Sequence, residues 1–213
     1  MAGDMRAGLR LKVSPDVISV IIPTHNSERA LIPVLCALVP GATSGILREV
    51  ILVDAGSHDD TAAIADAAGC VFIPAVPDLG QRLRQGARAA HAPWLMFLQP
   101  DCLLDQSWPQ DVAQFLAASD RRAAPDKMAA TFRFAADGEG LRARLDEAIA
   151  ALALSLFGAA RAGQGLLISR THYERIKGHR PGARHELHLA NRLDRCHVRA
   201  LRTRAVRMGT TEP

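Results

Sequence analysis

A chain of 213 residues is long enough to bury one sizeable α/β core, and 48% hydrophobic with 23% charged residues excludes a disordered chain. Aromatics at 4% leave few rings for stacking on bases or sugars. The formal charge of +4 suits acidic or phosphorylated partners without singling out nucleic acid.

The run Val17-Ile18-Ser19-Val20-Ile21-Ile22 is almost entirely β-branched and apolar, which predicts a strand covered on both faces and stopped by Pro23. Ser27 is placed to cap a helix through Leu31, Leu35 and Leu38, with Pro33 positioned to kink it. Val50-Ile51-Leu52-Val53 reads as a second buried strand. After the turn at Gly56-Ser57, Asp59 or Asp60 can cap a helix through Ile64 and Ala68. Val71-Phe72-Ile73 is a short third strand, followed by an Arg- and Ala-rich helix from Gln81 to Ala90 and a fourth strand, Trp94-Leu95-Met96-Phe97-Leu98. This alternation predicts a mainly parallel central sheet flanked by helices. Further strands are expected at Met128 to Phe134 and Gly165 to Ile168, helices at Leu141 to Phe157 and Glu186 to Leu193, and an edge strand from Val198 to Val206 lined by Arg199, Arg202 and Arg204. Trp94 and Trp108 read as packing residues, Trp108 being the better placed of the two to meet an acceptor.

No composition break divides the chain, so 1–213 reads as one domain with flexible ends at 1–14 and 208–213. Met1 to Lys12 is polar and unlike a signal peptide, and the apolar stretch Ala148 to Ala160 is too short to span a bilayer. Cys36, Cys70, Cys102 and Cys196 lie far apart and read as thiols of a reducing compartment. The expected location is cytoplasmic, with peripheral attachment to an inner membrane as a variant of it.

In an open parallel sheet, ligands bind beyond the carboxyl ends of the strands. Three polar segments lie there: Pro23-Thr24-His25-Asn26, Asp54-Ala55-Gly56-Ser57 and Gln99-Pro100-Asp101. A carboxylate at 54 can accept from a base N–H or a ribose hydroxyl, and one at 101 can hold a hard divalent cation against phosphate oxygens. The competing reading makes both Asp54 and Asp101 turn and capping residues.

Taken together, Ile18-Ser19-Val20-Ile21-Ile22-Pro23-Thr24-His25-Asn26-Ser27-Glu28 and Glu49-Val50-Ile51-Leu52-Val53-Asp54-Ala55-Gly56-Ser57-His58-Asp59 resemble the opening of family 2 glycosyltransferases. Gly86-Ala87-Arg88-Ala89-Ala90 and the segment Trp94 to Asp101 continue the likeness through that family's D-x-D-like motif. Gly163 to Ile168, Gly178 and His185 to Leu193 are similar to the small bacterial subgroup associated with radical-SAM and selenium-domain proteins. The resemblance implies a nucleotide-sugar-binding fold of glycosyltransferase A type and sugar transfer from a nucleotide diphosphate donor, assisted by Mg²⁺ or Mn²⁺. It places Pro23, Thr24, His25 and Asp54 around the nucleotide, Asp101 on the metal and Glu186 as general base. It leaves the acceptor unknown, a lipid-linked or small molecule being the candidates, and implies no nucleic-acid partner.

The sequence departs from the family's pattern at Gln99, which stands where an acidic residue or His is usual, and at Gly163 and His185, where Asp and Glu are usual. The stretch Asp78 to Arg84 also lacks the subgroup's usual residues, although Arg82 and Arg84 still have the charge to face phosphate. Those departures motivate an alternative, a catalytically degenerate member serving as a nucleotide-sugar-binding or partner-binding module. A nucleotidyltransferase-like enzyme is a third reading. It wants a Gly-rich loop after the first strand, which Pro23-Thr24-His25-Asn26 does not supply.

Overall fold

The β-branched run at the start of the chain becomes β1 (Ile18–Thr24), a strand buried at every position. In the computed structural model, which describes residues 17–121, 127–136, 165–182, 189, 192–193 and 198–208, β1 is flanked on both sides by parallel partners. On one side lies β2 (Leu47–Asp54), with Thr24 level with Asp54; beyond β2 lies β3 (Val71–Pro74). On the other side is β4 (Trp94–Phe97), with Ile21 level with Phe97. Two buried faces explain why β1, the second half of β2 and β4 are mostly apolar rather than alternating.

Pro23 does not end β1, contrary to expectation; pairing with β2 runs on to Thr24. The carbonyl of Ile21 accepts from Leu98 N at 3.0 Å and that of Thr24 from Ala55 N at 2.9 Å, so odd positions of β1 face β4 and even positions face β2. Pro23 therefore faces β4 just past its last residue, where a missing N–H leaves the ladder intact.

The rest of the sheet turns antiparallel. β7 (Leu166–Ser169) pairs antiparallel with β4, and β6 (Ala129–Ala136) antiparallel with β7. β8 (Val198–Arg207) then runs parallel to β6, and the short β5 (Cys102–Leu104) closes antiparallel on its end. The order is β3-β2-β1-β4-β7-β6-β8-β5, and four of the seven pairings are parallel. β8 is thus not an edge strand: β5 pairs with Ala205, Val206 and Arg207 on its outer side. Its alternation is as the sequence implies, with Leu201, Thr203 and Ala205 buried and Arg202 and Arg204 exposed.

Helices cover both faces. α1 (Glu28–Thr43) and α4 (Trp108–Asp120) pack with Ile18, Val20 and Ile22 on one face. α3 (Leu79–Ala89) and α5 (Arg170–Arg175) pack with Ile21, Ile51 and Val53 on the other, and the short α2 (Thr61–Ala67) precedes β3. α1 runs unbroken through both Pro33 and Pro40. Trp108 is fully buried with its indole N–H on the Ala37 carbonyl at 3.0 Å, and Trp94 stacks edge-on against Phe115. Both tryptophans are packing residues, and Trp108 is closed to any acceptor. The helix expected over Leu141 to Phe157 and the apolar stretch at 148–160 lie outside the described residues. Among those described, no helix is long and apolar enough to cross a membrane.

Close approach of α3 to the sheet depends on one glycine. A Cβ on Gly86 would stand 2.5 Å from Ile21 Cγ2 and 2.9 Å from Val53 Cγ2. That contact sets the height of α3 over the ends of β1 and β2, and with it the reach of Arg82.

Candidate active site

Parallel β1, β2 and β4 all end on one side of the sheet, and the polar segments after them gather there. Asp54, the last residue of β2, is 3% exposed. One carboxylate oxygen accepts from Thr24 Oγ1 at 2.8 Å and Ser57 Oγ at 2.6 Å, and the other from Ser57 N at 2.7 Å. Burial pushes this carboxyl up, but the hydrogen bonds from Ser57, Thr24 and the Gly56 backbone outweigh it and hold the group below the usual aspartate range. Asp54 is therefore ionised and fixed in orientation. Gly56 supplies the left-handed turn, at φ +77°, that brings Ser57 back onto it.

The loop after β1 is clasped to the loop after β2. Asn26 N donates to Ser57 Oγ and Asn26 Oδ1 accepts from His58 N, both at 2.8 Å, with Asn26 itself in the left-handed region at φ 47°. Glu28 N donates to Asp59 Oδ2 at 3.0 Å while Glu28 Oε2 accepts from Asp60 N at 3.1 Å. Ser27 occupies the N-cap position of α1 but makes no side-chain cap; its hydroxyl is engaged with the His25 backbone. Asp59 caps α1 from across the clasp and also accepts from Thr61 N and Oγ1. Asp60, at the N-cap of α2, likewise makes no side-chain cap. Pro23 and Thr24 are buried, and His25 stands exposed at the rim.

Arg82 reaches the same strand end from α3. Its Nη1 donates to the Thr24 carbonyl at 2.8 Å, and its Nε–H is buried without a hydrogen-bond partner. Burial lowers its pKa, opposed by the carboxylates of Asp54 and Asp78. A desolvated guanidinium beside an ionised aspartate, with one donor unsatisfied, is a polar arrangement ready for a ligand acceptor atom. Asp78 caps α3 through Gln81 N at 2.7 Å and takes Gly182 N at 2.7 Å, tying a distant loop to this helix start.

Asp101 lies in the turn that follows β4, on the other side of β1 from Asp54. Its Oδ2 accepts from Arg207 Nε at 2.8 Å and its backbone carbonyl from Met208 N at 2.9 Å. Among the described residues no three His, Cys, Asp or Glu side chains cluster to hold a metal by themselves. Among the described residues Asp101 offers one hard oxygen ligand there, with a guanidinium on its other oxygen. Such a donor set fits a divalent cation that takes its remaining ligands from phosphates and water, as Mg²⁺ commonly does, and does not fit a preformed cage. Glu186, and with it Gly163 and His185, lies outside the described residues.

Residues missed by sequence reasoning include Asp59 as the cap of α1 and Arg207 as the partner of Asp101. The group Ser19–Glu49–His91, running from buried Ser19 through half-buried Glu49 to exposed His91 at the opposite end of β1, was missed as well. There Glu49 accepts from Ser19 Oγ at 2.6 Å and His91 N at 2.7 Å, and Ser19 Oγ in turn accepts from Ala92 N at 3.0 Å. No local signal marks these partners, which are separated by 31, 106 and up to 73 positions.

The arrangement of these strands and helices is that of solved sugar-transfer enzymes. Glucosyl-3-phosphoglycerate synthase from Mycobacterium tuberculosis, in complex with phosphoglyceric acid, superimposes with a TM-score of 0.62 at 23% identity, covering 93% of this chain and 73% of that one. TarS from S. aureus gives a TM-score of 0.67 at 15% identity over 92% of this chain and 37% of that one. At these identities the likeness is one of fold, and it defines a glycosyltransferase A-type α/β domain. Residues 19–146 match the model of glycosyl transferase family 2, more than half of the chain, and the protein belongs to that family. Among curated proteins no match is found.

Proposed function

We propose that this family 2 glycosyltransferase moves a sugar from a nucleotide-diphosphate-sugar donor to an acceptor hydroxyl. The observation that carries the reading is the buried, ionised Asp54 at the end of β2, beside the unsatisfied Arg82 Nε–H. Solved relatives of the same fold support it: the mycobacterial synthase is known with Mn²⁺ and UDP, and TarS 1–349 with UDP-GlcNAc. In this chain Asp54 takes a base N–H or ribose hydroxyl, Pro23 and Thr24 form the wall beneath it, and His25 lies over the rim. Asp101 is the candidate ligand for Mg²⁺ or Mn²⁺, which when bound offsets the charge of the departing diphosphate. Glu186 is the proposed base, since an acceptor hydroxyl is a poor nucleophile until its proton leaves. On this reading 1–213 is one transferase domain, and the resemblance of the sequence at 163–168 and 185–193 supports membership of the radical-SAM-associated subgroup.

A second reading, a degenerate binding module, is favoured by one observation: Oδ2 of Asp101 is engaged by Arg207, and its neighbour Gln99 is neutral. Donor hydrolysis separates the two. Turnover of a UDP-sugar that Asp101→Ala and Glu186→Gln both abolish supports the enzyme. Turnover absent from the unmodified protein, with UDP still bound, supports the module.

A further inference from the structure

Helix α3 divides its arginines between two places. At 3.6 residues per turn, Arg84 and Arg88 share a face, and Arg82 lies roughly opposite. Arg82 is directed to the end of β1, as described. Arg84 and Arg88 instead line a cleft of about 350 Å³ between α3 and α5, over Leu95 of β4, with Tyr173 and Lys177 on its far side. Neither arginine, nor Lys177, has a hydrogen-bond or ion-pair partner for its side chain among the described residues. Arg170 adds a fourth cation to the wall; its guanidinium is taken by the carbonyls of Ala87, Ala90 and Ala92, which pins α5 to the end of α3. Glu174 is the one carboxylate among the described residues lining the cleft, so positive charge predominates.

The cleft is rigidly built. Tyr173 OH bonds His179 Nδ1 at 2.9 Å and accepts from His179 N at 3.1 Å, and its ring lies 5.2 Å from that of Phe97. Burial pushes the phenol up to about 12 against the pull of nearby Arg84, Arg192 and Arg88, so Tyr173 stays neutral and cannot serve as their counter-ion. Lys177 sits in the left-handed region at φ 62°, unusual for a residue with a side chain, and Gly178 follows because a Cβ there would meet the Tyr173 ring at 2.6 Å. Unpaired cations converging on a concave surface with an apolar floor raise local anion concentration. The arginine fork matches phosphate oxygens in pairs, and the floor accepts a short carbon skeleton.

We propose that the α3–α5 cleft binds a small phosphorylated molecule, at a site separate from the nucleotide end of the sheet. The chemistry is that of a phosphate monoester, whether free or as a lipid headgroup. The proposal does not depend on sugar transfer. Its test titrates the full chain with glycerol 3-phosphate by calorimetry and, separately, measures capture on vesicles containing phosphatidic acid. Saturable binding should weaken by at least about tenfold in the double variant Arg84→Gln/Arg88→Gln and in Lys177→Gly, yet stay unchanged in Asp54→Asn. Lys177→Gly relaxes the left-handed backbone, so its loss of binding is not a loss of fold; thermal melting checks this. Binding of the soluble probe assigns a free metabolite. Capture on vesicles alone, with the same variant pattern, assigns a headgroup. No binding of either probe, binding indifferent to both variants, or displacement of the bound phosphate by UDP overturns the proposal.

Discussion

Asp54 combines the two properties a nucleotide contact needs, ionisation and a single orientation, and both come from hydrogen bonds within the protein, those of Thr24 and Ser57 and the Gly56 backbone. Replacing it with Asn turns one acceptor oxygen into a donor facing other donors. That change should cost about 1–3 kcal/mol in urea unfolding besides weakening ligand binding. Asp54, Asp59 and Glu49 share a pattern: burial raises each, and hydrogen bonds win and hold each below its ordinary value. Groups with depressed folded pKa values stabilise above their unfolded pKa, about 4, and that stability is lost as pH falls through the lower folded values. The melting temperature should therefore be flat at neutral pH and fall below about pH 4. Asp59→Asn should lower the neutral plateau and flatten the acid limb; an unchanged acid slope in that variant would refute this account of the clasp. At this scale the sequence is readable where a residue's position is set by its own strand end, as for Thr24 and Asp54, which lie level with each other and hydrogen-bond there. It misleads where the partner is remote. Ser27 has the right type and place to cap α1, but its hydroxyl is taken by His25, and Asp59 does the capping from another loop.

Among elements, α1 and α3 place the two sides of the site. Asp59→Ala removes the cap of α1 together with two contacts to Thr61, and a loss of about 1–2 kcal/mol is expected by chemical denaturation. Gly86→Ala drives a methyl into Ile21 and Val53, and should cost about 1–3 kcal/mol. Because it lifts α3, the same change should also weaken nucleotide binding by withdrawing Arg82 from Thr24. A variant destabilised to that extent but with unaltered UDP affinity would show that Arg82 is not part of the site. The parallel strands were legible because a strand buried on both faces is a nearly continuous apolar run, which 50–53 and 94–98 are throughout and 18–22 is but for Ser19. β8 was legible as a strand but not as an interior one: its placement depends on β5, a three-residue segment too short to carry any periodicity.

The molecule as a whole is a parallel half that ends in polar loops joined to a mixed, mainly antiparallel half that returns the chain beside Asp101. That return is what brings Arg207 to within 2.8 Å of Asp101 across 106 positions. No sequence rule reveals such a pair, whereas the ordered motifs at the three strand ends are visible in the sequence and fix the family. Since the Arg207 side chain is largely exposed, the pair is a weak one, which the proposed cation and diphosphate would displace at little cost. Calorimetry with UDP, GDP and dTDP, with and without Mn²⁺, tests the central claim most directly when run on the unmodified chain, Asp54→Asn and Asp101→Asn. The account predicts that at least one nucleotide binds, that Asp54→Asn weakens it by about tenfold or more, and that Asp101→Asn removes the gain from Mn²⁺. A chain that binds none of the three, or binds them equally well in the Asp54→Asn variant, would contradict it.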